Sequence, residues 1–208
     1  MPQLLKDEVQ ARITQAALEV FAREGFEGAA MAAIAKAAAI STGNIYRYTR
    51  NKEVLFEALL DDAFVTRFLS LLRQRAEALR GIADVRQLEA SDRYHVVSED
   101  LLAFCLENRH RVVILLGHAQ GSRHADVVEQ LVTTLVELAV SHFHALDPAA
   151  RGAEPSRFIL ERIYRNFVGA LVAILSQEAS EAAYREAVAA LSAYHLSGLK
   201  GLFERRSP

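Results

Sequence analysis

The chain has 208 residues, with 24 Lys and Arg against 26 Asp and Glu, 51% hydrophobic and 24% charged. That is the composition of a globular protein and excludes a disordered or fibrous one. Its single cysteine, Cys105, excludes an intrachain disulfide, and a net charge of -2 excludes a globally basic nucleic-acid coat, so any DNA contact has to come from a local patch.

Only four prolines occur, Pro2, Pro148, Pro155 and Pro208, so nothing between Gln3 and Asp147 obliges a helix to stop. Strong helix formers fill the chain, and sustained period-two alternation is missing, which predicts an all-α fold of about nine helices. The opening MPQLLKDEVQ carries two acids and no apolar core, so with the lone cysteine it points to a protein of the reducing cytoplasm.

The first predicted helix, 6–24, lines up Val9, Ile13, Ala16, Ala17, Val20 and Phe21 on one face, and Gly25 stops it. Short helices are predicted at 30–38 and 42–48, the second capped by Ser41. Asn51 caps a fourth, expected to run unbroken to Leu79 with Leu55, Leu59, Phe64, Phe68, Leu72 and Leu79 inward, about 28 residues or roughly 40 Å. After a loop at 81–91, helices are predicted at 92–108, 109–117, 122–146, 156–176 and 181–204, with Pro155 at the first helical position of the fourth of these. The apolar run VVILLG, 112–117, is far shorter than the roughly 18 residues of a membrane span, so no membrane association is expected.

Between Gly28 and Lys52 stand four bases, Lys36, Arg47, Arg50 and Lys52, and no acid. Two short helices joined by a tight turn, with small and polar residues opening the second and bases closing it, match what a helix-turn-helix needs. A helix entering the major groove needs short side chains at its leading end. Gly43 permits that close approach, Asn44 can donate and accept on a base edge, and Tyr46, Tyr48 and Lys52 can reach phosphates. Ile34, Ala35, Ala38, Ile40 and Ile45 would pack the motif from within.

From Ile13 to Leu59 the sequence resembles the tetracycline-repressor-like (TetR) family of bacterial transcription regulators, joining ALEVFAREGF to IAKAA, STGNIYRY and NKEVLF in the family's order. The resemblance implies a three-helix DNA-binding domain, 1–52, and a helical regulatory domain, 53–208, that dimerises and binds a ligand. It implies that Thr42, Gly43, Asn44, Arg47 and Tyr48 lie near bases or adjoining phosphates, and that Tyr46 and Lys52 hold the DNA backbone. Departures are Ala29 and Ala30 in place of a Thr or Ser pair, Ala32 in place of a polar residue, Ala39 in place of the turn glycine, and Thr49 in place of Phe. They predict a weakened cap, a strained turn, thinner packing beneath the recognition helix, and either a modest DNA affinity or a specificity that leans on Thr42, Asn44 and Arg47 alone.

The C-terminal half carries patterning alone. Phe158, Ile159, Ile163, Phe167, Leu171 and Leu175 form one stripe, and Val188, Leu191, His195, Leu199 and Leu202 another. Either is a core seam by default; the resemblance implies that both helices pair with a second copy, so Ile163, Phe167, Leu171, Val188, Leu191, His195, Leu199 and Leu202 are the expected dimer residues. A homodimer also suits a palindromic double-stranded operator. Phe64, Phe68, Phe104, Cys105, His118, Phe143, Tyr164 and Phe167 are candidate lining for a small apolar or amphipathic effector. Seven histidines give no pair at helical ligand spacing, and neither Cys105 nor Ser41 lies in a nucleophile motif, so no metal, cofactor or catalytic site is expected. The competing reading is a small-molecule-binding or enzymatic bundle with a vestigial DNA-binding motif.

Overall fold

A computed structural model describes residues 3–148 and 155–204, among which every extended regular element is helical. In order these are α1 (Gln3–Gly28), α2 (Met31–Ala37), α3 (Thr42–Ile45), α4 (Lys52–Leu59), α5 (Asp62–Ala78), α6 (Arg93–Glu107), α7 (Arg109–Gly117), α8 (Val127–Leu146), α9 (Arg157–Ser176) and α10 (Glu181–Glu204), with one 3-10 turn at Val85–Gln87. The turn expected between Asp147 and Pro155 lies largely outside the described residues.

The all-α expectation holds, with one helix more than predicted, because the segment 51–79 is two helices. Leu60 leaves helical geometry at φ -118° and ψ 61°. Asp61 then starts α5, its Oδ1 accepting the Phe64 N–H at 2.7 Å, as a carboxylate does at a helix N-terminus. The carbonyls freed at the break are met from far along the chain. Arg111 Nε donates to Leu59 O at 2.5 Å, and His124 Nε2 lies 2.8 Å from Leu60 O.

Two compact units form, Met1–Val65 with Asn108–Val127, and Thr66–Glu107 with Val128–Pro208. In the first, the predicted stripe of α1 is the core, with Ile13, Ala17 and Phe21 fully buried. Gly25, at φ 72°, breaks the helix where it was expected to stop, and a further turn reaches Gly28. Phe26 N donates to His118 O at 2.9 Å, and the rings of Phe21 and Phe26 meet Phe56 at 5.1 and 4.7 Å, which fixes α4 on α1.

In the second unit, Arg75 ties α5 to α6 through Tyr94 Oη at 2.9 Å and Ser98 Oγ at 3.2 Å. Val132, Val136 and Ala139 of α8 pack with Leu160 and Tyr164 of α9 and Leu199 of α10. The buried face of α9 is Leu160, Tyr164, Val168 and Leu175, so the stripe is rotated from the predicted one, and Phe158 and Ile159 stand out in solvent. Ser156, not Pro155, organises the start of α9, accepting the Ile159 N–H at 3.4 Å. The helix predicted from Ser122 begins at Val127, because residues 119–126 are spent in turns around Gly121 at φ 77°.

Candidate nucleic-acid interface and ligand cavity

The helix-turn-helix is built on α2 and α3. Ile34, Ala35, Ala38 and Ile45 are buried between them and Ile40 is half-buried. The turn carries Ala39 at φ 54°, in the left-handed region that costs an L-residue about 1 kcal/mol. Ala30 stands at the N-cap of α2 with no side-chain hydrogen bond. Ser41 caps α3 as expected, its Oγ accepting from Asn44 N at 3.2 Å.

α3 is shorter than the predicted 42–48, ending at Ile45, but helical hydrogen bonding continues through the turn. Arg47 N donates to Asn44 O, and Tyr48 N and Thr49 N to Ile45 O, at 2.9 to 3.1 Å. Ile45 and Thr49 therefore face inward, and Thr42, Gly43, Tyr46, Arg47 and Arg50 are exposed on the other side, with Asn44 and Tyr48 half-exposed. Tyr46 is 52% exposed. Thr49 fills its buried position with Oγ1 bonded to Asn51 O at 3.3 Å.

Gly43 bears on what approaches this face. Its φ lies outside the left-handed region, and an added Cβ would meet nothing within 4 Å. Neither the backbone nor the protein's own packing requires glycine there; close approach by an external backbone would. Lys52 is half-buried at the start of α4, which Asn51 caps through Val54 N at 2.9 Å. Its ammonium lies 4.6 Å from the Phe26 ring centroid and donates to Glu27 O at 3.3 Å, so it is anchored to the end of α1.

The second unit contains a cavity of about 230 Å³. Its walls come from Leu79 of α5, Ile82 and Val85 of the following loop, Leu138 and His142 of α8, and Leu196 of α10, among others. Of the eight predicted ligand residues, Phe143 and Tyr164 line it. Phe68 and Phe104 stack on each other at 6.3 Å, and Phe167 packs 4.3 Å from His195. Cys105 is buried, and burial pushes its thiol up to about 12, far from nucleophilic use. Phe64 and His118 belong to the first unit, Phe64 beneath the Arg111 guanidinium at 3.9 Å and His118 against Gly25.

His142, given no role in the sequence analysis, is among the cavity residues that sequence reasoning missed. Its neighbours in the wall come from four separated segments, so no local signal marks it. Of the predicted dimer residues, Ile163 packs on the core around Leu160, Leu199 lies within that core, and Phe167 and His195 meet in the α9–α10 seam. Leu171, Val188, Leu191 and Leu202 are half-buried.

Among the described residues no helix is long and apolar enough to cross a membrane. Residues 13–59 match the sequence profile of the family described as bacterial regulatory proteins, tetR family. Curated relatives include the HTH-type transcriptional regulator UidR of Escherichia coli K12 and of Shigella flexneri, each 29% identical over 180 residues, covering 82% of this chain and 86% of the relative. Solved structures with a likeness include TetR-family regulators from Mesorhizobium loti (19% identity, 91% of this chain and 95% of that one, TM-score 0.37) and Shewanella sp. PV-4 (18%, 95% and 94%, 0.36). The matched stretch, which folds into α1 to α4 and exposes the Thr42–Arg50 face, is similar to the tetR family of bacterial regulatory proteins, and most of the chain is similar to HTH-type transcriptional regulators.

Proposed function

We propose that the chain acts in the cytoplasm as a ligand-responsive homodimeric repressor that binds a palindromic operator through Thr42, Gly43, Asn44, Tyr46, Arg47, Tyr48 and Lys52, with Arg50 beside them. One observation carries the reading: an acid-free segment whose polar and cationic side chains stand exposed on one side of a capped turn, with a glycine that the protein itself has no use for. In this reading Thr42 and Asn44 meet base edges, and Arg47 a base or phosphate. A single short recognition segment makes few contacts, so a pair set roughly 34 to 36 Å apart, or a multiple of it, is the arrangement that reads a site with useful affinity.

Pairing through α9 and α10 is supported by their outer faces. Phe158 is 69% exposed and Tyr194 80%, so each offers apolar surface that a second copy can cover. Near Tyr194 the exposed Ala190 and Gly198 are small, which lets a second helix approach closely. The effector would occupy the cavity of the second unit, favouring a dimer state whose recognition segments are differently spaced, which relieves repression.

An electrophoretic mobility shift tests the reading. The dimer is expected to prefer DNA from upstream of its own gene over random duplex, with affinity falling steeply as salt rises. Equal affinity for both duplexes would favour the alternative of a bundle with a vestigial motif.

A further inference from the structure

We infer that the turn around Gly121 holds the Glu27 carboxylate off Lys52, and that closing the space above Gly121 turns Glu27 into an inhibitor of DNA binding. The inference rests on the reading of Lys52 as a contact to the DNA backbone, and it adds a point of control to that contact.

The acid-free segment 28–52 is bounded by two acids, Glu27 and Glu53. Lys52 is held beside the first. Its Nζ donates to the backbone carbonyl of Glu27 at 3.3 Å and lies over the Phe26 ring, and it makes no ion pair with either carboxylate. The ammonium therefore stands within the sweep of the Glu27 side chain, while the carboxylate lies elsewhere.

That side chain lies on the α-carbon of Gly121. A Cβ added to Gly121 would stand 2.6 Å from Glu27 Cγ, 2.7 Å from Oε1 and 3.0 Å from Cδ, so Glu27 fills a space that only glycine leaves open. Among the described residues no hydrogen bond or ion pair fixes the carboxylate there, and Arg123, two positions beyond Gly121, is taken by Asp62. The shape of the turn is what keeps the space. Ser122 N and Oγ both donate to Ala119 O, at 3.0 and 2.7 Å, and Ser122 Oγ accepts from His124 N at 3.1 Å.

A bulkier residue at 121, or a shift of the turn toward α1, evicts the side chain, and Lys52 is a cation it can reach. An ammonium paired with a carboxylate releases fewer counterions on meeting a phosphate, and the added negative charge repels the duplex. Exposed pairs are weak, so the effect is a modulation, roughly two- to threefold at each half-site and about fivefold for a dimer.

Left-handed backbone is a competing reason for glycine at 121, and Gly81 controls for it, with φ 78° and nothing within 4 Å of an added Cβ. Fluorescence anisotropy of the full-length protein on duplex from upstream of its own gene, at low salt, compares Gly121→Ala, Glu27→Gln, the double variant and Gly81→Ala. Gly121→Ala is expected to bind about fivefold more weakly, with the gap narrowing as salt rises. The double variant should return to wild-type affinity, because an evicted amide carries no charge, and Glu27→Gln and Gly81→Ala should each bind as wild type does. Undiminished binding by Gly121→Ala, a loss that persists in the double variant, or an equal loss in Gly81→Ala would each overturn the inference. Where Gly121→Ala does not fold, Glu27→Gln decides alone: unchanged affinity supports a carboxylate already held off Lys52, and a fivefold gain overturns it. A wild type that binds no duplex ends the regulator reading and this inference with it; a wild type that binds, with variants that break the pattern, ends this inference alone.

Discussion

His124 reaches 64 positions back along the chain to place Nε2 at 2.8 Å from the carbonyl oxygen of Leu60, the residue at which α4 ends. Leu60 is fully buried and His124 nearly so, at 7% exposure, which means no water can replace the histidine. Arg111 serves the neighbouring Leu59 carbonyl and forms an ion pair with Asp61, while Arg123 pairs with Asp62. The α4–α5 break thus survives because the 108–127 segment supplies the donors that a continuous helix would have found internally.

Replacing His124 with Leu keeps the apolar contacts and leaves the Leu60 carbonyl unpaired, at an expected cost of about 1 to 3 kcal/mol. Urea denaturation followed by circular dichroism measures it. An unchanged midpoint would mean that the break is held by packing alone.

The helix-turn-helix carries two faults that can be mended, one in its turn and one at the start of α2. Ala39→Gly removes left-handed strain at φ 54° and is expected to add about 1 kcal/mol of stability, less the entropy cost of glycine in the unfolded chain. Ala30→Ser restores a hydroxyl at the N-cap of α2, worth about 1 kcal/mol. Thermal or urea unfolding of the two single variants checks each, and a destabilised Ala39→Gly would contradict the strain assigned to that turn.

Gly43 separates a structural role from a binding one. Gly43→Ala introduces a Cβ that meets nothing in the protein, and alanine favours helix over glycine by roughly 0.5 to 1 kcal/mol, so stability should hold or rise. DNA binding should weaken all the same, because the Cβ fills the gap that the duplex backbone would enter. Fluorescence anisotropy beside a melting curve gives both numbers. Loss of stability, or undiminished DNA affinity, would show that glycine serves something else.

Acid should loosen the second unit. Burial, with the Arg75 charge adding to it, pushes the His195 pKa down to about 4 from an ordinary 6.5. Burial lowers His142 in the same direction. The folded state then binds fewer protons than the unfolded chain between about 6.5 and 4, so stability is full above that window and falls as pH drops through it. The loss attributable to His195 is at most about 3 kcal/mol. Melting temperature against pH reads this, and His195→Phe should flatten the profile. A variant as acid-sensitive as the wild type would place the titration elsewhere.

Much of the first unit was legible because its signals are local. The α1 stripe from Val9 to Phe21, the stop at Gly25 and the caps Ser41 and Asn51 are each read from a few neighbouring residues, and all appear where expected. The α4–α5 break was not. Leu55 and Leu59 step by four and Phe64 by five, a small irregularity, and the groups that stabilise the break, Arg111 and His124, lie some fifty to sixty positions later. The packing of α7 against α1 has the same long-range origin.

In α9 the apolar positions are too many for one face, since Phe158, Ile159, Leu160, Ile163, Tyr164 and Phe167 cover most of the helix circumference. Periodicity alone could not choose the buried side, and the contacts of Leu160 and Tyr164 with α8 and Leu199 decide it. The cavity was hidden for a similar reason: its wall is drawn from α5, α8, α9, α10 and a loop, and no window of sequence contains it.

A footprint on the DNA upstream of the chain's own gene tests the central claim most directly. The account predicts two protected half-sites on one face of the duplex, with centres about 10 base pairs or one further helical turn apart, and loss of both in Arg47→Ala. A single protected half-site, uniform weak protection along the fragment, or a pattern that Arg47→Ala leaves unchanged would contradict it.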